Sequence, residues 1–191
     1  MRLTKEKTEE NRRLIVETAS RLFRLHGVEN VSVADVMKES GFTHGGFYNH
    51  FSSKEELASV ALACAFETSA KYLARTVASG PHPKKGLTTA LAEYLSPAQR
   101  DTCTGGCPAS AWLVDAARNG KEIQAAFAGG IETYLDILAS KMDGTKQAAR
   151  QEAIALLSGM IGALLLSRAV KGANPQLSDE ILSSARKQFS K

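Results

Sequence analysis

Apolar side chains recur every three to four positions through most of this chain, the spacing of helices with one buried face. Runs of alternating β-branched residues are missing, so the pattern predicts an all-α protein. Ile15, Ala19, Leu22 and Phe23, with Leu14 and Leu25 at the edges, mark a first helix over 8–26, and Gly27 stops it. Val33, Val36 and Met37 mark a second, and a third short segment spans 44–50. Leu57, Val60, Ala61 and Cys64 open a long fourth helix from Lys54 to about residue 78, ended by Gly80-Pro81-His82-Pro83. Leu87, Leu91, Tyr94 and Leu95 give a fifth over 84–96, and residues 97–106 read as a loop of small and polar residues. Pro108 suits the first turn of a sixth helix reaching about Asn119, with Cys107 as its N-cap. A seventh runs over 121–142, and the last two cover about 146–171 and 177–190. About nine helices are expected.

The penultimate helix differs in texture, being nearly apolar between Ala153 and Leu166. Such a helix is buried on most sides. The apolar run is short and interrupted by Ser158, so it reads as a core helix and not as a membrane span. No charged start leads into an apolar stretch, and a cytoplasmic location is the default expectation. Hydrophobic content of 43% suits a globular protein. The formal charge of +4 hides an even balance at the N-terminus, where residues 1–60 hold nine basic and nine acidic side chains. Net charge therefore does not argue for a nucleic-acid partner. Placement must, and Arg2, Lys5 and Lys7 read either as a basic arm or as a solvated terminus.

The stretch from Ser32 to Leu57 organises the rest. Ser32 with Asp35, and Ser53 with Glu56, have the spacing of helix-capping boxes. Gly41 suits the left-handed turn after the first short helix, and Thr43 stands where the next N-cap belongs. Phe47 and Phe51 share one face, which leaves His44, Tyr48 and Asn49 with polar tips elsewhere. Gly45 and Gly46 weaken helix propensity, and close approach of another backbone is the usual reason for such a pair. Two short helices around a tight turn outline a helix-turn-helix.

In Gly41, Thr43, Gly45, Phe47, Tyr48, Phe51, Lys54 and Leu57 the stretch resembles the tetracycline-repressor (TetR/AcrR) family of bacterial transcription regulators. The resemblance implies an all-α chain with an N-terminal three-helix DNA-binding domain, residues 1–55, and a C-terminal effector-binding and dimerisation domain, residues 56–191. It implies a homodimer, paired through the last two helices, on a near-palindromic double-stranded DNA operator. It implies a repressor released by a small-molecule effector. Ser32, Thr43, His44, Gly45, Tyr48, Asn49, His50 and Lys54 are then the DNA-facing residues. His44 is a departure, since many relatives have Lys there.

The second half holds the remaining candidate chemistry. Phe66, Tyr94, Cys107, Trp112, Phe127 and Tyr134 are candidate walls of an effector pocket, favouring an apolar or aromatic effector. Cys103 and Cys107 are spaced C-x3-C, yet a structural zinc needs about four ligands and only Cys64 and His82 are left to complete a set. No metal and no cofactor are expected. A thiol at a helix N-terminus is activated, so Cys107 with Cys103 also admits a redox- or electrophile-sensing repressor on the same scaffold. No nucleophile elbow, phosphate-binding loop or HExxH occurs, and an enzyme is not expected.

Overall fold

A computed structural model of the chain describes residues 5–79, 83–102 and 106–190. Arg2, His82 and Cys103 lie outside the described residues. The described residues form ten α-helices and one 3-10 helix, with no strand among them. The helices are α1 (Lys5–His26), α2 (Val33–Glu39), the 3-10 helix (His44–Asn49), α3 (Lys54–Ala78), α4 (Pro83–Tyr94), α5 (Pro97–Asp101), α6 (Pro108–Ala111), α7 (Leu113–Arg118), α8 (Lys121–Ala139), α9 (Lys146–Val170) and α10 (Pro175–Phe189).

Eleven helices replace the nine expected, for one local and one tertiary reason. The stretch 97–106 is not all loop. Pro97 fixes a first turn, and the Ser96 hydroxyl accepts from the Gln99 N–H at 3.1 Å, which starts α5. The helix expected over 108–119 breaks at Trp112, whose burial holds the backbone at the junction of α6 and α7. Lys5 and Lys7 are not part of an extended arm. They lie in the first turn of α1, where Lys7 pairs with Glu10 at 2.7 Å.

One core runs through the molecule. Helix α1 packs on α2 and α3, and α3 continues past them to pack on α4 and α8. The residues Leu57, Ala58, Ala61 and Leu62 of α3 sit in the N-terminal half of the core, whereas Phe66 and Ala70 sit in the C-terminal half. Helix α9 is 25 residues long and apolar enough to cross a membrane by length and composition. This corrects the expectation of a run too short and interrupted to span a bilayer. Nine of its side chains, among them Leu156, Met160 and Leu164, are buried against the protein, as a core helix requires.

Close packing demands glycine at several positions, Gly86 against the Val77 carbonyl among them. A Cβ on Gly130 of α8 would stand inside the Phe66 ring, and one on Gly159 of α9 would meet the Phe189 ring of α10. Helix α5 is fastened differently. Arg100, almost wholly buried, donates to Ser178 Oγ at 2.8 Å and pairs with Asp179 at 2.6 Å and Asp101 at 2.8 Å. Lys171 reaches the same Asp101 oxygen at 2.6 Å.

Two outcomes follow from this packing. Gly130→Ala should destabilise the fold by about 1–3 kcal/mol, because the Phe66 ring has to move within a close-packed core. Gly129→Ala, one position away with open space above it, should stabilise by about 0.5–1 kcal/mol, and urea unfolding of the two variants measures the contrast. The second outcome concerns acid. Arg100, then Lys171, hold the Asp101 carboxyl at about 2, below the ordinary aspartate value of about 3.9. A folded value below the unfolded one contributes stability above pH 4, lost as pH falls toward 2. Asp101→Asn should therefore flatten the acid limb of stability against pH, and an unchanged limb would show that the pairing contributes nothing.

Candidate functional site

The first candidate surface is built by α2, the 3-10 helix and the start of α3. The Ser32 hydroxyl accepts from the Asp35 N–H at 3.1 Å while Asp35 accepts from the Ser32 N–H at 2.9 Å, so both halves of the capping box form. Gly41 adopts φ +82°, and the Phe42 N–H then bonds back to the Met37 carbonyl at 2.8 Å. The chain turns into His44–Asn49, which forms a 3-10 helix and not an α-helix, as i→i+3 bonds from Gly46 to Thr43 and from His50 to Phe47 show. Two adjacent glycines in a six-residue segment leave too little propensity for a full α-turn.

Aromatic packing pins this short helix from behind. Phe47 is fully buried and stacks on Phe51 with centroids 5.7 Å apart. The Arg12 guanidinium of α1 lies 4.6 Å over the Phe51 ring. Arg21 of α1 pairs with Glu39 of α2 at 2.7 Å. With the inner face so fixed, Ser32, Thr43, His44, Gly45, Tyr48 and Asn49 are exposed, and Lys54 is half-buried at the first turn of α3. Tyr48, 67% exposed, stands between the Phe47 and His44 rings with its hydroxyl outward-lying. His50 is different, because its Nδ1 is buried without a hydrogen-bond partner. Nothing lies within 4 Å of a Cβ placed on Gly45. No contact among the described residues explains that glycine.

The second candidate site is a cavity of about 530 Å³ walled by α1, α3, α4, α8 and α9 and by Gln99, Gly106 and Cys107. Helix α3 gives it one whole face, from Cys64 through Ser69 to Leu73 and Thr76. Helix α1 gives Glu17, Ser20 and Arg24, so the N-terminal unit itself forms part of the wall. Tyr134 donates to Ser69 Oγ at 2.6 Å, and the Cys107 thiol lies 3.9 Å from the same tyrosine oxygen. Burial pushes the Tyr134 and Tyr94 hydroxyls well above the usual phenol range, so both stay neutral donors. Tyr72 donates to Glu93 at 2.9 Å at the rim.

Of the six aromatic and thiol candidates read from sequence, the structure brings Tyr94, Cys107 and Tyr134 to this cavity. Trp112 is not on its wall. It is fully buried against Phe23 of α1, edge to face at 5.6 Å. Phe66 and Phe127 pack on each other at 5.6 Å behind Tyr134, between α3 and α8. Large rings in an α-protein fill the joints between helices first, which is why they misled. The polar wall residues Ser20, Arg24 and Ser69 went unnoticed, although Ser20 and Arg24 are four apart on the inner face of α1, a spacing that flags a polar strip within an apolar stripe.

Cys107 stands at the head of a helix of four residues and makes no side-chain bond to its N–H groups. It is 5% exposed. Cys64, half-buried on the cavity wall, has its thiol pushed up by burial and then by Glu67 and Glu17. That makes it a poorer nucleophile than an ordinary cysteine.

Comparison with known proteins bears on both surfaces. Residues 15–61 match the family described as "Bacterial regulatory proteins, tetR family". The HTH-type transcriptional regulator TtgR of Pseudomonas putida is 40% identical over 68 residues, which are 36% of this chain and 32% of that relative. The match thus spans about a third of such relatives. The HTH-type transcriptional regulator LmrA of Bacillus subtilis is 25% identical over 172 residues, covering 88% of this chain and 92% of LmrA. Among solved structures, the reduced form of E. coli NemR superposes with a TM-score of 0.80 at 18% identity, over 94% of each chain. A transcriptional regulator of the TetR family from Cytophaga hutchinsonii gives 0.80 at 21% identity, over 100% of this chain and 97% of its own. These structural likenesses concern the fold.

Proposed function

We propose that this chain, which belongs to the bacterial TetR/AcrR family of regulatory proteins, is a dimeric DNA-binding repressor that leaves its operator when a small molecule fills the cavity. The observation that carries the reading is the shared wall: one cavity is lined both by α1 of the helix-turn-helix unit and by α3, which begins at that unit.

The exposed row on the 3-10 helix supplies the DNA face. Tyr48 and Lys54 are placed to hold phosphates, which position a protein on the duplex without reading sequence. His44, Gly45 and Asn49 lie against base edges, and the missing side chain at Gly45 lets the helix approach the groove floor. His50, with its Nδ1 buried and its ring against Phe51, lies at the edge of this row.

A second copy of the chain completes the reader. On α9 the outward side chains Ile154, Ala155, Ser158, Leu166 and Ala169 are exposed, and nothing lies over Gly162. On α10, Leu177 is exposed and Ile181 half-exposed. Small residues between aliphatic ones let two helices approach closely, and a twofold axis along α9 and α10 sets two recognition helices about 34–36 Å apart, one DNA turn.

Coupling runs through a few contacts at the joint. The Arg24 guanidinium reaches the Gly106 carbonyl at 3.5 Å, and Asp115 of α7 accepts from the Val28 N–H at 3.2 Å, just past the end of α1. A ligand that pushes on Arg24 or on the inner face of α3 shifts α1 relative to α6 and α7. It lowers DNA affinity by its preference for the DNA-incompetent arrangement and by no more.

Gel shift against DNA flanking the chain's own coding region tests the reading. Gly45→Ala should leave the thermal midpoint unchanged or slightly raised and weaken the specific complex at least about tenfold. Lys54→Ala should weaken all sequences alike and reduce the salt slope by about one. A change of base preference at one position would give Lys54 a different role. Light scattering should report a dimer at micromolar concentration, and Leu166→Glu on α9 should yield a folded monomer with lost operator binding. A wild-type monomer would sink the twofold arrangement.

A further inference from the structure

We infer that the cavity selects an amphipathic organic acid carrying a single negative charge, its carboxylate held by Arg24 and its apolar body lying against α3, α8 and α9. The inference rests on the effector reading above and gives that effector a chemical class. Among the described residues, three charged side chains belong to the cavity wall: Glu17, Arg24 and Glu93. Glu17 is mostly exposed and is partnered by Arg13 at 3.8 Å. Glu93 is exposed and accepts the Tyr72 hydroxyl. Both stand at the rim. Arg24 is the inward charge.

The partners of Arg24 are carbonyls. Its Nε donates to the Ser20 carbonyl at 3.1 Å and its Nη1 to the Gly106 carbonyl at 3.5 Å. Among the described residues no carboxylate comes within 4.0 Å of it. A guanidinium offers five N–H donors in a planar fork, so most of its capacity, Nη2 included, is unclaimed. Its site is partly desolvated, which lowers its pKa from the usual arginine range. A half-buried cation bonded only to carbonyls gains more from an anion than an exposed one does, and the fork matches a carboxylate two bonds to two.

Deeper in the same cavity stands a second unclaimed group. The Tyr94 hydroxyl is buried and has no partner in hydrogen-bonding geometry, though Cys107 and Ser110 lie beside it. Buried polar atoms are rarely left so. It suits an oxygen or nitrogen substituent at the far end of a ligand. Leu73, Ala90, Leu138, Leu157 and Met160 supply apolar wall. One inward cation against two rim carboxylates excludes phosphates and dicarboxylates in favour of a monoanion, and about 530 Å³ suits a body of two rings.

Matched pairs decide the matter: 2-naphthoate against 2-naphthamide, and 4-phenylbenzoate against 4-phenylbenzamide, titrated calorimetrically into the full chain at pH 7.5. In at least one pair the acid should bind wild type at least about tenfold more tightly than the amide. Arg24→Gln keeps a donor toward Ser20 but loses the charge, and should bind acid and amide within about threefold of each other. Arg24→Lys keeps the charge and should retain part of the preference, with thermal melts confirming that each variant is folded. Equal binding of acid and amide to wild type, no binding of either acid, or an undiminished preference in Arg24→Gln would overturn the inference. Operator binding without ligand is scored separately. Its absence would sink the regulatory reading while leaving the acid preference measurable.

Discussion

Trp112 meets Phe23 edge to face in a pocket that water does not reach, and the two halves of the molecule are joined through that contact. Its indole N–H has no hydrogen-bond partner, so apolar burial and ring packing hold it there. Rings of this size cost about 3–5 kcal/mol to truncate in a core. The indole also interrupts the backbone between α6 and α7, and so sets the direction from which Asp115 reaches the N–H of Val28. The attachment of α1 to the C-terminal helices, and with it the cavity wall that α1 supplies, draws on this ring together with the Val28–Asp115 and Arg24–Gly106 bonds.

Around that joint the contacts divide into rigid and yielding kinds. The face of α3 toward α8 is closely fitted, with Phe66 lying where Gly130 has no side chain. Helix α5 is tied to α9 and α10 by Arg100, and Arg168 of α9 donates to the carbonyls of Gln99 at 3.0 Å and Arg100 at 2.9 Å. Between these fixed parts, Arg24 rests on carbonyls at longer distances. The polar contacts of α1 with the C-terminal helices are thus few, and its hold on them is mainly apolar, through Phe23 and Trp112.

The helical fold was legible from period alone, since nine stretches carry apolar residues at three- and four-residue spacing. The N-caps Ser32 and Ser53 and the left-handed Gly41 were legible because each depends on local chemistry within four residues, although at Ser53 only half of the expected box forms, since the Glu56 carboxylate accepts from Ser52 and not from the Ser53 N–H. The break at Trp112 was not, because it comes from tertiary burial that no local signal announces. Nor was the 3-10 character of His44–Asn49, although the glycine pair hinted at weakness. The candidate cavity was legible only in part. Tyr94, Cys107 and Tyr134 border it, but Trp112, Phe66 and Phe127 were attractive only for their size, and a large ring does the same service in a joint as in a wall. What defines the site chemically is Arg24 on α1, more than a hundred positions from Tyr134 on α8. Only the folded chain brings that pair together.

The cavity has a consequence for the life of the protein apart from its response. About 530 Å³ opens between the helices, with exposed Glu17, Tyr72 and Glu93 at its mouth, and its inner wall lacks the close neighbours a filled core supplies. Close-packed interiors lose dispersion contacts around every void, so the empty form is softer than its helix content suggests. Any molecule that settles there restores those contacts and stabilises the fold by mass action, about 2.7 kcal/mol at a hundred times its dissociation constant. A gain of that size cuts the unfolded fraction about a hundredfold, and unfolded chains are what proteases destroy. On the reading proposed above, an occupant of the cavity thus also preserves the protein, and the amount of protein in a cell should follow the supply of that occupant without any change in synthesis.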